Sequence, residues 1–305
     1  MRKVLAYTVR EVVPYINWIY YFHAWGMEPR FATVTDIHDC PACRARWIAS
    51  FPTEERAKAR EAMKLYDEAK ALLHQWANES ICHAIILLAK AYSENDDIII
   101  NDKVRIPFLR QQHVGKHGYT FCLSDFIRGS IPPSTERDTK DIANTIGIFA
   151  TCVSQPDDSQ NLTFDLQLAT LTDRLAEATT EKVHEEVRKD YWGYAKEEQL
   201  TMRELHEERF QGIRPAIGYP SLPDQSINFL INDLLHLSDI GITLSEHGAM
   251  IPHCSVSGFM FAHPEAHYFA IGDITEEQLK DYSVRRGLDV EVLRNFLASN
   301  LKNKV

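Results

Sequence analysis

The residues with chemistry to offer fall in three short stretches. Gln211-Gly212-Ile213-Arg214-Pro215-Ala216-Ile217-Gly218-Tyr219-Pro220 sets two glycines and two prolines around one arginine and one tyrosine. Proline fixes φ and glycine opens conformations closed to other residues, so the stretch is neither helix nor strand for long. It displays Arg214 from a fixed backbone, and a planar guanidinium held that way suits a bidentate grip on a carboxylate or phosphate. A salt-bridged arginine in an ordered loop is the plainer alternative. The second stretch is Ser255-Val256-Ser257-Gly258 followed by His263-Pro264-Glu265-Ala266-His267-Tyr268-Phe269-Ala270. On a strand Tyr268 and Phe269 face opposite sides, leaving one aromatic to stack on a flat ring or sit near a cation. A hairpin with aromatic packing is the plainer alternative there. The third is Cys40-Pro41-Ala42-Cys43, a thiol–disulfide pair or half a zinc site. His38 is close by, but no second C-x-x-C and no identifiable fourth ligand exist, and the βαβ context of a redox motif is missing. No metal is therefore expected.

Other chemistries are excluded. The chain holds no G-x-G-x-x-G, no P-loop and no H-E-x-x-H, and His184-Glu185-Glu186 reads as a solvated helix face. Asp36-Ile37-His38 is similar to the start of the D-x-H-x-x-G signature that supplies a histidine to cobalamin cobalt, but its glycine is missing from Asp36-Ile37-His38-Asp39-Cys40-Pro41. The 305 residues carry 33 Lys plus Arg against 43 Asp plus Glu, a net charge of −10, which argues against nucleic-acid and anionic-membrane partners. The longest apolar run, Ala84 to Ala89, is far too short to span a bilayer, and Arg10 and Glu11 interrupt any signal core at the start. The six cysteines are expected to be free thiols and the compartment the cytoplasm.

These stretches need elements to hold them. Thr53 to Ala77 reads as a helix capped by Thr53, with Ala62, Tyr66, Ala69, Leu73 and Trp76 on one face. Strands are expected over Ile81–Tyr92 and Asp97–Asn101, joined by the turn Glu94-Asn95-Asp96-Asp97, then over Val104–Gln111, Gly118–Leu123 and Thr145–Val153. Pro107 requires an edge or a bulge. Ser130-Ile131-Pro132-Pro133-Ser134 is a loop. Phe164–Lys189 is a long amphipathic helix with Phe164, Leu168, Leu171, Leu175 and Ala178 as its stripe. Shorter helices cover Thr201–Phe210 and Ser226–Leu237. Ala249–Ala262 and His267–Gly272 form a β-pair. Thr275–Arg286 is a helix with the box Thr275/Gln278 and Gly287 past its end, and Asp289 opens the last helix, to about Leu301. Hairpin-joined strands with clustered helices make the class α+β.

Taken together, Tyr191-Trp192-Gly193-Tyr194-Ala195, Gln211 through Pro220, Ala249-Met250, Ser255 through Gly258 and His263 through Ala270 resemble the activation domain of cobalamin-dependent methionine synthase, its S-adenosylmethionine-binding part. Asp281-Tyr282-Ser283-Val284-Arg285-Arg286-Gly287 and Asn300-Leu301 resemble the family's end. The likeness is dense from His184 to Leu301. It is thinner at Tyr15-Ile16-Asn17-Trp18, Leu109-Arg110-Gln111-Gln112 and Phe121-Cys122-Leu123-Ser124-Asp125-Phe126, and absent from Met27 to Pro52. The resemblance implies one C-shaped α+β domain over 1–305, with a divergent helical part over 1–80 and a twisted antiparallel β-sheet, flanking helices and the ligand-binding part over 81–305.

The resemblance also implies a role. The domain brings S-adenosylmethionine to cobalamin carried by a partner, a cobalamin-binding methionine synthase core. A flavodoxin-like donor reduces inert cob(II)alamin, and the methyl group is captured at once. Arg214 grips the ligand's carboxylate, Glu177 and Glu208 lie near its cationic end, Tyr268 contacts the adenosyl part, Phe269 joins the ligand-binding set, Ala216 helps seat the adenine and Tyr219 approaches the corrin. Asn17 stands where the family carries an acidic residue for the ligand's amino group, Phe269 replaces a second tyrosine, and Pro223-Asp224-Gln225-Ser226 departs from a Pro-Asp/Glu-His-Thr pattern. With no homocysteine, folate or cobalamin module between Met1 and Val305, the chain is expected to act in trans as a methyltransferase component inactive alone. A ligand sensor without methyl transfer is the alternative.

Overall fold

β-Branched runs build the sheet. The computed structural model describes residues 1–79, 81–114, 118–128, 144–154 and 166–301. Its strands are β1 (Arg2–Tyr7), β2 (Cys82–Glu94), β3 (Asp97–Ile100), β4 (Val104–Pro107), β5 (Thr145–Val153), β6 (Thr243–Leu244), β7 (Met250–Ile251) and β8 (Ser255–Met260). The main sheet runs β4-β3-β2-β5-β8 with β1 beside β2; β2–β3, β3–β4 and β5–β8 are antiparallel. Ile98 to Ile100 and Ile146 to Val153 are buried without alternation, as in strands covered on both faces. Pro107 sits at the end of the edge strand β4, where no ladder donor is needed from it. Buried Asp97 opposite it accepts from Arg285 (2.5 Å) and Arg105 (2.6 Å).

Contacts divide the chain into two compact units. The first comprises Met1–Leu5, Ala84–Cys152 and Val183–Val305. Its main core joins the sheet, through Ile85, Ile98, Ile148 and Phe259, to Ile227 and Ile231 of the helix Ile227–Leu235. A smaller cluster gathers Leu279 and Tyr282 of the helix Glu276–Arg286 with Leu293 and Leu297 near the chain's end. The second unit, Ala6–His83 with Val153–Lys182, is mainly helical. Its helix Arg56–Gln75 follows a short 3₁₀ turn at Thr53–Glu55, so Thr53 does not cap it as expected, while Ala62, Ala69 and Leu73 are buried as the spacing predicts. The helix Leu166–Glu186 likewise buries Leu171, Leu175 and Ala178. No helix among the described residues is long and apolar enough to cross a membrane. The loop expected at Ser130–Ser134 and the stripe residue Phe164 lie outside the described residues.

Three expectations need correction. Gly118–Leu123 is no strand: it makes one bridge, Arg110 to Cys122, and then turns at Leu123–Phe126. Asp125 causes the turn by accepting the Cys122 N–H (2.9 Å) and the Arg110 guanidinium (2.8 and 2.6 Å). His267–Gly272 is not paired as a strand either, because the free side of β8 is taken by another segment, described below. Finally, the capping box at Thr275 is half made. Thr275 accepts the Gln278 N–H (3.2 Å), but the Gln278 amide donates away, to the Arg110 carbonyl (2.6 Å).

Candidate functional site

The segment beside β8 is the one that carries Arg214. Ile213 and Phe261 exchange both backbone hydrogen bonds, each 2.9 Å; the Phe259 N–H donates to the Pro215 carbonyl (3.1 Å) and the Ile217 N–H to the Ser257 carbonyl (2.9 Å). Proline lacks a donor but keeps its acceptor, so Pro215 can line a strand edge through its oxygen. Gly258 allows this approach. A Cβ there would strike the Pro215 carbonyl oxygen and stand 2.9 Å from the Ala216 Cα. Gly212, at φ +86°, does the same job one turn earlier, since a Cβ on it would strike the Phe261 carbonyl. A glycine inside a strand often marks such a close approach.

Both ends of the segment are anchored. Upstream, Phe210 packs between the edge of the His184 ring (4.9 Å between centroids) and the Arg188 guanidinium (4.2 Å). Arg188 is fully buried and binds Glu198 through Nε (3.0 Å) and Nη2 (2.6 Å). It lies in a π-helical turn, Val187–Tyr191, that ends the long helix, a feature frequent at functional sites. The Tyr194 hydroxyl donates to the Gln211 carbonyl (3.4 Å), and burial raises its pKa. Downstream, the Pro220 carbonyl accepts from the Ile271 N–H (2.9 Å). Beyond it, buried Asp224 accepts from Tyr282 (2.8 Å), and Ser226 from Arg286 (2.8 Å).

Six of the expected site residues are in the first unit. The Arg214 N–H donates to the Tyr268 hydroxyl (3.0 Å), which ties the two aligned stretches together. Tyr268 is exposed, whereas Phe269 turns into an aromatic cluster with Phe121 (5.6 Å) and Phe126 (6.3 Å). The two point apart as expected, although no strand sets them. Ala216 is buried against Gly258. Tyr219 follows a turn at Gly218 (φ +86°) and is 51% exposed, a large aromatic presented to solvent. Glu208 holds a left-handed conformation (φ +57°), which costs a non-glycine residue about 1 kcal/mol. Its side chain is exposed by area, yet the protein around it removes enough water to raise its carboxyl pKa, and desolvation is the cause. The other two residues belong to the second unit. Glu177 is half-buried on the long helix, and Asn17 caps the helix Trp18–Ala24 by accepting the Ile19 N–H (3.1 Å).

The residues that sequence reasoning missed are His184, Arg188, Tyr194 and Phe210, which support the segment. His184 is no solvated face: it is fully buried, because the helix turns its side toward Phe210. Burial and the Arg188 charge hold its pKa well below the ordinary histidine value. The folded chain then refuses a proton that the unfolded chain accepts, so stability is complete above about pH 6.5 and falls on acidification below it. Each pH unit costs about 1.4 kcal/mol while His184 stays neutral in the fold. Urea titrations from pH 7.5 to 5 are expected to show this loss, and His184→Gln to flatten it. An equally steep acid limb in the variant would contradict the assignment.

In the second unit, His38, Cys40 and Cys43 come together, with ligand atoms within 4.8 Å of one another. The sequence pointed to the pair but found no fourth ligand.

The family model for the vitamin B12 dependent methionine synthase activation domain matches residues 8–287. Among solved structures, one described as the MetH reactivation domain bound to AdoHcy is similar at a TM-score of 0.81 and 29% identity, over 100% of this chain and 91% of that one. The fold is thus the mixed helix-and-antiparallel-sheet fold of that domain, and the chain belongs to the activation-domain family of vitamin B12 dependent methionine synthase.

Proposed function

We propose that the chain binds S-adenosylmethionine along Gln211–Pro220 and supports reductive remethylation of cob(II)alamin on a cobalamin-binding methionine synthase core. The observation that carries this is the bracing of Arg214: its segment is fastened to β8 on both sides of the guanidinium, and its own N–H is held by Tyr268. The similar solved structure holds AdoHcy, which shares the carboxylate, ammonium and adenosyl groups of the proposed ligand. When bound, S-adenosylmethionine supplies an electrophilic methyl group. The residues of this chain hold and orient it. Arg214 is a fork for the carboxylate. Glu208, already desolvated, offers a negative charge whose attraction for a cation is strengthened where water is thin. The Ala216 backbone and Tyr268 border the adenosyl group; Glu177 and Asn17 are assigned to the ligand by the family resemblance alone. Displacement at methyl needs alignment rather than a proton carrier, so no general base is assigned. Tyr219 is exposed beyond the turn, which supports its role against the corrin. An electron donor of flavodoxin type is part of the proposal, as is action on a core supplied as a separate polypeptide in the cytoplasm.

The assay is direct. A cobalamin-binding core without its own activation domain, oxidised to cob(II)alamin, is mixed with this chain, S-adenosylmethionine and a flavodoxin-type reductant. The expected result is appearance of the methylcobalamin spectrum, dependent on this chain. Tight ligand binding with no methylcobalamin would favour a sensor role.

Glu208 yields a further prediction. Its carboxyl, raised by desolvation, takes up a proton at a higher pH than an ordinary glutamate does, and the neutral acid no longer attracts the cation. Ligand affinity should therefore fall on acidification, starting at a higher pH than an ordinary glutamate would give. Glu208→Gln should bind about tenfold more weakly at neutral pH, with this pH dependence removed. Titration calorimetry from pH 7.5 to 5 checks it; parallel pH profiles for the two proteins would refute the role.

A further inference from the structure

We propose that His38, Cys40 and Cys43 form a zinc site at the start of the helix Pro41–Ala49. Cys40 is the N-cap of the helix Pro41–Ala49, and Cys43 is its third residue. That geometry turns both thiols to one side of the helix start: the Cys43 N–H donates to the Cys40 Sγ (3.2 Å). The Cys40 N–H donates to the His38 carbonyl (2.8 Å), which folds the chain back and brings the imidazole to the same side. The three ligand atoms then lie within 4.8 Å of one another. Tetrahedral zinc, with bonds of ~2.3 Å to sulfur and ~2.0 Å to nitrogen, wants them roughly 3.5–3.8 Å apart, so side-chain rotation closes the site. His38 is exposed and both cysteines are half-buried, so a metal can reach them.

The donor set selects the ion. Two thiolates and an imidazole suit zinc and disfavour magnesium, calcium and manganese, which prefer oxygen. All three ligands fall within six residues, so little chain entropy is lost on closing the loop. The helix N-terminus favours the thiolate form that binds metal. Asp39, between them in sequence, is engaged by Arg44 (2.7 Å) and Lys70 (3.1 Å) and leaves the three-ligand set intact. On binding, each thiol gives its proton to solvent and its sulfur to the metal. With three protein ligands the fourth position stays open for water or an incoming thiolate, the arrangement of zinc sites that do more than brace a fold.

The test uses the full chain, reduced and free of affinity tags. Zinc is measured by plasma mass spectrometry after gel filtration, and cobalt(II) replaces it for spectroscopy. One zinc per chain is expected, with cobalt giving thiolate charge-transfer bands and the strong visible bands of tetrahedral coordination. His38→Ala, Cys40→Ser and Cys43→Ser should each weaken zinc by more than about a hundredfold, since losing an outer-shell partner alone costs ~10–100-fold. Should a variant misfold, the wild-type cobalt spectrum still decides. Substoichiometric zinc in the reduced chain, cobalt bands without thiolate character, or unchanged affinity in folded Cys40→Ser would overturn the proposal. So would a Cys40–Cys43 disulfide that re-forms in the presence of excess zinc.

Discussion

Gly258→Ala is expected to destabilise the chain by about 3 kcal/mol, on the order of 5–10 °C in thermal midpoint, and to weaken ligand binding beyond that. The added methyl has nowhere to go. On one side it meets the Pro215 carbonyl and the Ala216 Cα; on the other, the Phe149 ring at 3.1 Å. Two of these are backbone, and Phe149 is fully buried on β5, directly opposite in register. The cheapest relief is to push Gln211–Pro220 away from β8. That breaks the Pro215–Phe259 and Ile217–Ser257 hydrogen bonds and releases Arg214 from its fixed backbone. Gly241→Ala is the control. A Cβ there meets nothing within 4 Å, and its φ of +78° alone predicts a cost of about 1 kcal/mol. Calorimetric melting of both variants makes the comparison. A Gly258→Ala protein that melts with the wild type and binds equally well would show that the close approach has no role.

Arg214→Ala is expected to lose about 3 kcal/mol of binding energy for S-adenosylmethionine, on the order of a hundredfold in Kd. The cost exceeds that of an ordinary hydrogen bond because the ligand's carboxylate is left desolvated without its cation. Arg214→Lys should recover only part of this, since a point charge cannot reproduce the planar fork. The backbone hydrogen bonds of the segment, including the Arg214 N–H to Tyr268, remain available in this variant, so the segment should keep its place beside β8. This split separates the variant from Gly258→Ala, where fold and ligand are lost together. Affinity within a factor of about two of wild type would remove Arg214 from the site.

How far these positions could be read from sequence depends on the range of the force that sets them. Local signals worked well. The Asn95 turn, Thr275 as cap, Gly287 as stop and Pro107 on an edge strand are each decided by a few neighbouring residues. The Arg214 segment stood out because its prolines and glycines leave a local trace. Its strand partner did not, for pairing across a sheet is chosen by the whole fold. A hairpin between β8 and His267–Gly272 was the nearest option in sequence, but Gln211–Pro220 holds that place. His184 misled for a related reason. Two glutamates follow it, and Phe210, which packs against it, lies 26 positions on. The Gly118–Leu123 stretch failed because one side chain, Asp125, outcompetes the ladder for the backbone. The partnership of His38 with Cys40 and Cys43 was half visible. Spacing showed the pair, but the bend that swings the imidazole across is a backbone hydrogen bond.

The central claim is that the braced Arg214 holds the amino-acid head of a cationic methyl donor. A crystal structure of this chain grown with saturating S-adenosylmethionine tests it most directly. The account predicts ligand density along Gln211–Pro220, its carboxylate within hydrogen-bond distance of the Arg214 guanidinium and its sulfonium near Glu208. Density elsewhere on the chain, or none at a concentration where calorimetry detects binding, would contradict it.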